Sequence, residues 1–170
     1  MKDSYAKAIV AILTNDQNLI DEVCDKLSKE FGRIEFSSNR YPFTHTNYYK
    51  EEMGKDLFRF FVAFEELYDA SNAAELKIRT SKIEDEFRVD GKRRVNLDGG
   101  YIDANKLVLI TGKHGGHKIS LADGIWADML LWYNKGWQPL PWAFPDFRCD
   151  VYYKEFTAIR RLFKKSCKFL

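Results

Sequence analysis

Two short runs constrain the fold more than anything else in this chain. Lys7–Thr14 (KAIVAILT) is apolar, β-branched and too brief for a buried helix, so it reads as a buried first strand. Leu57–Phe64 (LFRFFVAF) is apolar at successive positions. Successive side chains of a strand point to opposite faces, so this run predicts a central strand covered on both sides.

The residues between and after these runs supply helices and further strands. Thr14-x-x-Gln17 has the spacing of a capping box, and Leu19, Ile20, Val23, Leu27 and Phe31 follow at helical intervals until Gly32. Arg33–Ser38 alternates, with Ile34 and Phe36 expected on one side. A polar-aromatic stretch, Asn39–Gly54, precedes the central strand. A second helix is predicted over Ser71–Phe87 with the stripe Leu76, Thr80, Ile83 and Phe87; the Thr80 hydroxyl is expected to bond back to a helix carbonyl. Val95 and Leu97 alternate ahead of an expected turn at Asp98-Gly99-Gly100, and Lys106–Thr111 reads as a strand. His117–Leu121 and Ile125–Asn134 form a hairpin joined near Asp123-Gly124. A last helix is expected to start at Asp150 as cap, with Tyr152, Phe156, Ile159 and Phe163 inward. The order predicts one α+β domain over residues 1–170. Its sheet is mixed or antiparallel, its first half resembles a split β-α-β unit with helices on one face, and a β-hairpin and a C-terminal helix are added.

Composition narrows the function classes. Thirteen Phe, nine Tyr and four Trp can fill a sizeable core. A net charge of +2 does not by itself imply a nucleic-acid partner, and the basic run Arg160, Arg161, Lys164, Lys165 and Lys168 reads first as a solvated helix end that suits the dipole and only second as an RNA contact. Cys24, Cys149 and Cys167 are widely spaced and odd in number, which suggests neither a disulfide framework nor a zinc site and points to a reducing compartment. No apolar run is long enough to cross a bilayer and the N-terminal residues do not resemble a signal peptide, so no membrane partner and a cytoplasmic location are expected.

Four constellations could carry chemistry. In Arg93-Arg94-x-Asn96-x-Asp98-Gly99-Gly100-Tyr101, residues Arg94, Asn96 and Asp98 would share one face of a strand as a polar ligand floor, or as a solvated face with Arg94 paired to Asp98. In Lys113-His114-Gly115-Gly116-His117-Lys118, lysines and free amides around paired glycines could cradle a phosphate. Metal binding through His114 and His117 lacks the three or four converging ligands that zinc needs, and a plain hairpin loop is the other alternative. Arg40, Tyr41, His45, Tyr48, Tyr49 and Glu52 offer an acid–base histidine and stacking rings, or a cover for the sheet. Trp137–Phe147 reads as a stiff aromatic wall that lines a pocket, seals a homodimer or packs on the core.

Several phrases in one order complete the picture. They are Tyr41-Pro42-Phe43, Tyr48-Tyr49-x-x-Glu52-Met53-Gly54, Lys77-x-Arg79-Thr80-x-x-Ile83-Glu84, Arg94-x-Asn96-Leu97-Asp98-x-Gly100-Tyr101, His117-Lys118-Ile119 and Trp142-x-x-Pro145-Asp146. Together they resemble the bacterial family catalogued as domain of unknown function 4416, from near the N-terminus to about Arg148. The resemblance implies a single-domain protein and no particular activity or cofactor. This chain departs from the family's form at Gly99, Lys118, Trp126, Asp128, Phe144 and Phe147. It has neither a Gly-x-x-x-x-Gly-Lys-Ser/Thr loop nor a dinucleotide fingerprint.

The leading expectation is a binding protein for a small phosphorylated or carboxylated ligand such as a nucleotide. Arg79 and Arg94 would grip the anion, Asn96 and Asp98 would orient hydroxyls, His117 and Lys118 would close the site, and Tyr101 completes the set. The alternatives are a metal-independent hydrolase or lyase using Asp98, Asp146 and His117, and a structural or protein-interaction module. All of the binding expectation depends on the Arg94-Asn96-Asp98 row and the twin-glycine loop converging on one hollow.

Overall fold

The structure, a computed structural model, describes residues 4–169. Its elements are β1 (Tyr5–Thr14), α1 (Ile20–Phe31), β2 (Ile34–Ser37), β3 (Tyr41–Pro42), α2 (Lys50–Met53), β4 (Phe58–Asp69), α3 (Ala73–Glu86), β5 (Val95–Ile102), β6 (Lys106–Thr111), β7 (Ile119–Ser120), β8 (Trp126–Tyr133), β9 (Trp137–Pro139), α4 (Pro145–Arg148) and α5 (Tyr153–Ser166). The strands form one sheet in the order β2-β4-β1-β5-β6-β8-β7, with β3 also beside β4 and β9 also beside β8. Every pairing is antiparallel. Strand β4 lies between β1 and β2, which α1 joins, so the first half is a split β-α-β unit.

The two apolar runs are central, and both of their faces are covered. Val10, Ile12, Phe60, Val62 and Phe64 pack with Val95 and Leu97 under α1 and α3. Ile9, Ala11, Phe61 and Ala63 pack with Leu107 and Leu109 under Phe147 of α4 and Phe156 and Ile159 of α5. The two helices of the first half thus share one face, and the C-terminal helix closes the other. We call these the α1/α3 face and the α5 face. The predicted stripes are buried: Leu76, Thr80, Ile83 and Phe87 on or beside α3, and Tyr152, Phe156, Ile159 and Phe163 on or beside α5. Thr80 Oγ1 donates to Leu76 O at 2.8 Å, as its position on an apolar stripe predicts. Among the described residues, no helix is long and apolar enough to cross a membrane.

Local details differ from the sequence reading. Thr14 does not cap α1; Asp16 caps a preceding 3₁₀ turn by accepting from Asn18 N–H, and Thr14 Oγ1 donates to Arg94 O. Asp150 opens a 3₁₀ turn whose cap position belongs to Cys149, with no side-chain cap bond. Asp98-Gly99-Gly100 is not a turn but the interior of β5. A Cβ on Gly100 would lie 2.2 Å from the Val108 carbonyl, so glycine there lets β5 and β6 approach closely. Ile34 and Phe36 do not share a face, because a bulge between them sends Ile34 to the α1/α3 cluster and Phe36 to the α5 cluster.

Strand β4 carries a matching irregularity opposite β1, where the register jumps between Lys7 and Ile9. Lys7 is wholly buried there. Its ammonium donates to the carbonyls of Phe64 and Glu65 and pairs with Glu35 Oε1 at 2.5 Å. A cation inside the first apolar run therefore satisfies the carbonyls that the distorted ladder leaves over.

Candidate functional site

The α5 face carries a buried ionic floor at one end of the sheet. Its centre is Arg59, the single charge in the second apolar run, only 4% exposed. Arg59 Nε lies 3.0 Å from Asp146 Oδ2, and Nη1 lies 3.8 Å from Asp98 Oδ2. Its guanidinium sits between the rings of Phe43 and Phe147, at 4.9 and 5.8 Å. Asp146 is itself buried and accepts from Tyr152 Oη at 3.4 Å. Asp98 keeps 28% of its side chain exposed and accepts from Asn96 Nδ2 at 2.8 Å.

The chain of bonds continues outward. Arg93 Nη1 donates to Asn96 Oδ1 at 2.7 Å, and Nε and Nη2 grip the two oxygens of Glu52 at 2.9 and 2.6 Å. That two-pronged grip holds the Glu52 carboxyl down at about 2. Tyr49 lies against Arg93, and burial, with Asp98 nearby, pushes its hydroxyl up to about 12.

The glycine loop forms the rim. Lys113 donates to Tyr48 Oη at 2.9 Å and lies 4.6 Å from that ring, which ties the loop to the Tyr48–Tyr49 pair across 65 residues of sequence. The hydrogen bond from Lys113 lowers the Tyr48 hydroxyl. His114 packs edge-on against Trp126 at 4.7 Å, and His117 stacks on Trp142 at 5.0 Å. Beneath them Asp128 is buried, 3.5 Å from His117 Nε2 and 3.8 Å from Lys118 Nζ. Burial raises the Asp128 carboxyl, against the pull of Lys118 and His117.

Register fixes where these parts stand. Asp98 faces Ala11, Gly100 faces Ile9 and Leu109, and Leu109 faces Asp128, so floor and rim occupy the same side of the sheet. Two strand spacings and two residues separate Asp98 from Asp128, roughly 12 Å between backbones. Leu109, Thr111 and Trp126 span the interval on that side.

Only part of the expected ligand set comes together. Asn96 and Asp98 are bonded to each other, and His117 and Lys118 share Asp128. Arg79 and Arg94 do not join them: Arg79 pairs with Glu30 near the end of α1, and Arg94 pairs with Asp16 before its start. The length of α1, about 18 Å, separates the two arginines. Arg79 also lines an open hollow of about 310 Å³ on the α1/α3 face with Ala8, Glu30, Phe64 and Tyr68. Tyr101 turns to the α1/α3 face as well, where it packs beside Val108 and Ile110 and burial raises its hydroxyl. The pairing of Arg94 with Asp98 is thus replaced by Arg94 with Asp16 and Arg59 with Asp98.

A family model, DUF4416, described as a domain of unknown function, matches residues 4–163 of the 170. The chain belongs to the DUF4416 family. No curated protein and no solved structure matches it. In this DUF4416 chain the matched span includes every part of the floor and rim.

The remaining constellations of the DUF4416 chain divide. Arg40 donates to Gln17, and Tyr41 donates to Glu155 at 2.5 Å, so neither joins Glu52. Trp137, Ala143 and Phe147 of the aromatic segment are spent on its own core, while Trp142 and Phe144 stay exposed. No group of three or more His, Cys, Asp or Glu among the described residues is placed to hold a metal. Arg59 was not among the expected site residues and Asp128 was noted only as a departure from the family's form, although a charge inside an apolar strand was a visible signal for both.

Proposed function

We propose that the protein binds a small molecule that carries hydroxyl groups at one end and a phosphate or carboxylate at the other, on the α5 face of the sheet. The observation that supports this most is the division of charge on that face. At the floor, two carboxylates surround one buried guanidinium, so the exposed edge of Asp98 attracts donors and repels anions. At the rim, Lys113 and His114 are exposed: the Lys113 ammonium donates to the neutral Tyr48 hydroxyl and lies over its ring, and His114 packs on Trp126. Asp98 and Asn96 would take the hydroxyls. Lys113, His117 and Lys118 would take the anion, and Tyr48, Trp126 and Trp142 would flank a ring. A ligand that engages both ends spans about 12 Å, the separation set by strand spacing.

A thermal-shift screen of nucleotides and phosphosugars tests this reading. At least one compound should raise the melting temperature, and Asp98→Asn and Lys113→Ala should each weaken its binding about tenfold, a loss of roughly 1.4 kcal/mol. Arg79→Ala and Arg94→Ala should leave it unchanged. No shift with any compound, or equal losses from all four variants, would remove the proposal.

One observation favours acid–base chemistry by Asp98 and Asp146, which meet on the same Arg59. His117, the third member of that scheme, is engaged with Asp128 instead. An Asp98→Asn variant that retains ligand binding but loses turnover of the bound compound would select this second reading.

A further inference from the structure

Cys149 lies between α4 and the 3₁₀ turn Asp150–Tyr152 that leads into α5. Its thiol donates to the Asp146 carbonyl at 3.1 Å, and its sulfur is 3.8 Å from Nε2 of His45, 104 residues away in sequence. The sulfur is half-buried, whereas His45 is exposed and rests against the Phe43 ring at 6.0 Å. The other charged or titratable groups nearby are engaged or distant from proton exchange with the thiol. The Asp146 carboxylate meets Arg59 and Tyr152. The Arg148 guanidinium donates to the carbonyls of Ala143 and Pro141. Burial raises the hydroxyls of Tyr152 and Tyr153, and the neighbouring Cys149 adds to both effects; Asp150 adds to the second. Among the described residues, His45 is the base that touches the sulfur.

A thiolate is the nucleophilic form of cysteine, and an imidazole within reach can take the thiol proton as the sulfur attacks. We propose that Cys149 and His45 form a nucleophilic thiol–imidazole pair, a modification site for small disulfides. The Cys149 sulfur attacks one sulfur of the disulfide as its proton passes to His45. The S–S bond breaks, and one half of the reagent stays on Cys149 as a mixed disulfide. The other half leaves as a thiolate and recovers the proton from His45. The protein thiol is oxidised to the disulfide level, and the reagent is reduced to a thiol. Cys24 makes the internal contrast: it sits on α1, and burial, with Asp21 and Asp25, raises its thiol.

The experiment uses the folded full chain with the aromatic disulfide dithiobis-nitrobenzoate, whose released thiolate is coloured. Cys24→Ser and Cys167→Ser together leave Cys149 as the only thiol. Its folded rate should exceed its rate in denaturant, and mass spectrometry should locate the adduct on Cys149. Adding His45→Gln should slow the folded reaction at least about tenfold while the denatured rate stays the same. His45 is exposed, so the melting temperature should hold and a folding defect would be recognised. A folded rate no faster than the denatured one, or a rate indifferent to His45→Gln, would overturn the proposal.

Discussion

Gly100 shows how one missing side chain sets the geometry around it. The Val108 carbonyl occupies the space a Cβ would need, and Leu109 of the same strand, β6, crowds it further with its backbone and side chain. Gly100→Ala should therefore destabilise the fold by about 1–3 kcal/mol, as overpacking does, measured by urea unfolding. Gly112→Ala is the control: nothing lies within 4 Å, and it should be neutral or stabilise by about 0.4–1 kcal/mol. A second prediction concerns Glu52. Its folded-state carboxyl titrates at about 2, below the ordinary value of 4.5, because Arg93 grips the charged form. The stability it contributes is fully present above about pH 4.5 and is lost as pH falls through that value toward 2. Glu52→Gln should lower the urea midpoint at neutral pH, and the difference from the parent should shrink through this acid window. A difference that stays constant from pH 7 to pH 2.5 would show that the ion pair does not carry the effect.

Strand β4 teaches the corresponding lesson for elements. Its apolar pattern identified a central strand, because hydrophobic periodicity reports burial on each face. Pattern alone could not locate the two bulges, since an inserted residue leaves composition unchanged and alters only register. That is why Ile34 and Phe36 looked like neighbours on one face and are not. The same blindness hid the site's centre. Arg59 and Lys7 were visible as charges in apolar runs, but their partners come from elsewhere, Asp146 from α4 and Glu35 from β2, and sequence spacing cannot join them. By contrast Asn96 and Asp98 were legible as neighbours, because both lie on one strand two residues apart. Lys7 makes the element-scale prediction. Lys7→Met strands the Glu35 carboxylate and the two β4 carbonyls, and should cost about 3–5 kcal/mol by denaturant titration. Lys7→Met with Glu35→Gln should recover the share owed to the stranded carboxylate and leave the carbonyl share. Equal losses in the single and double variants would mean that the ion pair contributes nothing.

At the scale of the molecule, the order β2-β4-β1-β5 realises the strand–helix alternation read from the first half, and β6, β8 and β7 prolong the same sheet. The long strands, β4 with 12 residues and β1 with 10, are interior. Each flank of the sheet ends in two short pieces: β2 and β3, of 4 and 2 residues, on β4, and β7 and β9, of 2 and 3 residues, on β8. A stranger chain seeking to extend the ladder finds at most four consecutive residues to zip onto before the border steps inward. An array this wide, built on two strongly apolar strands, is thereby poorly suited to stack side by side with its own copies into fibrils.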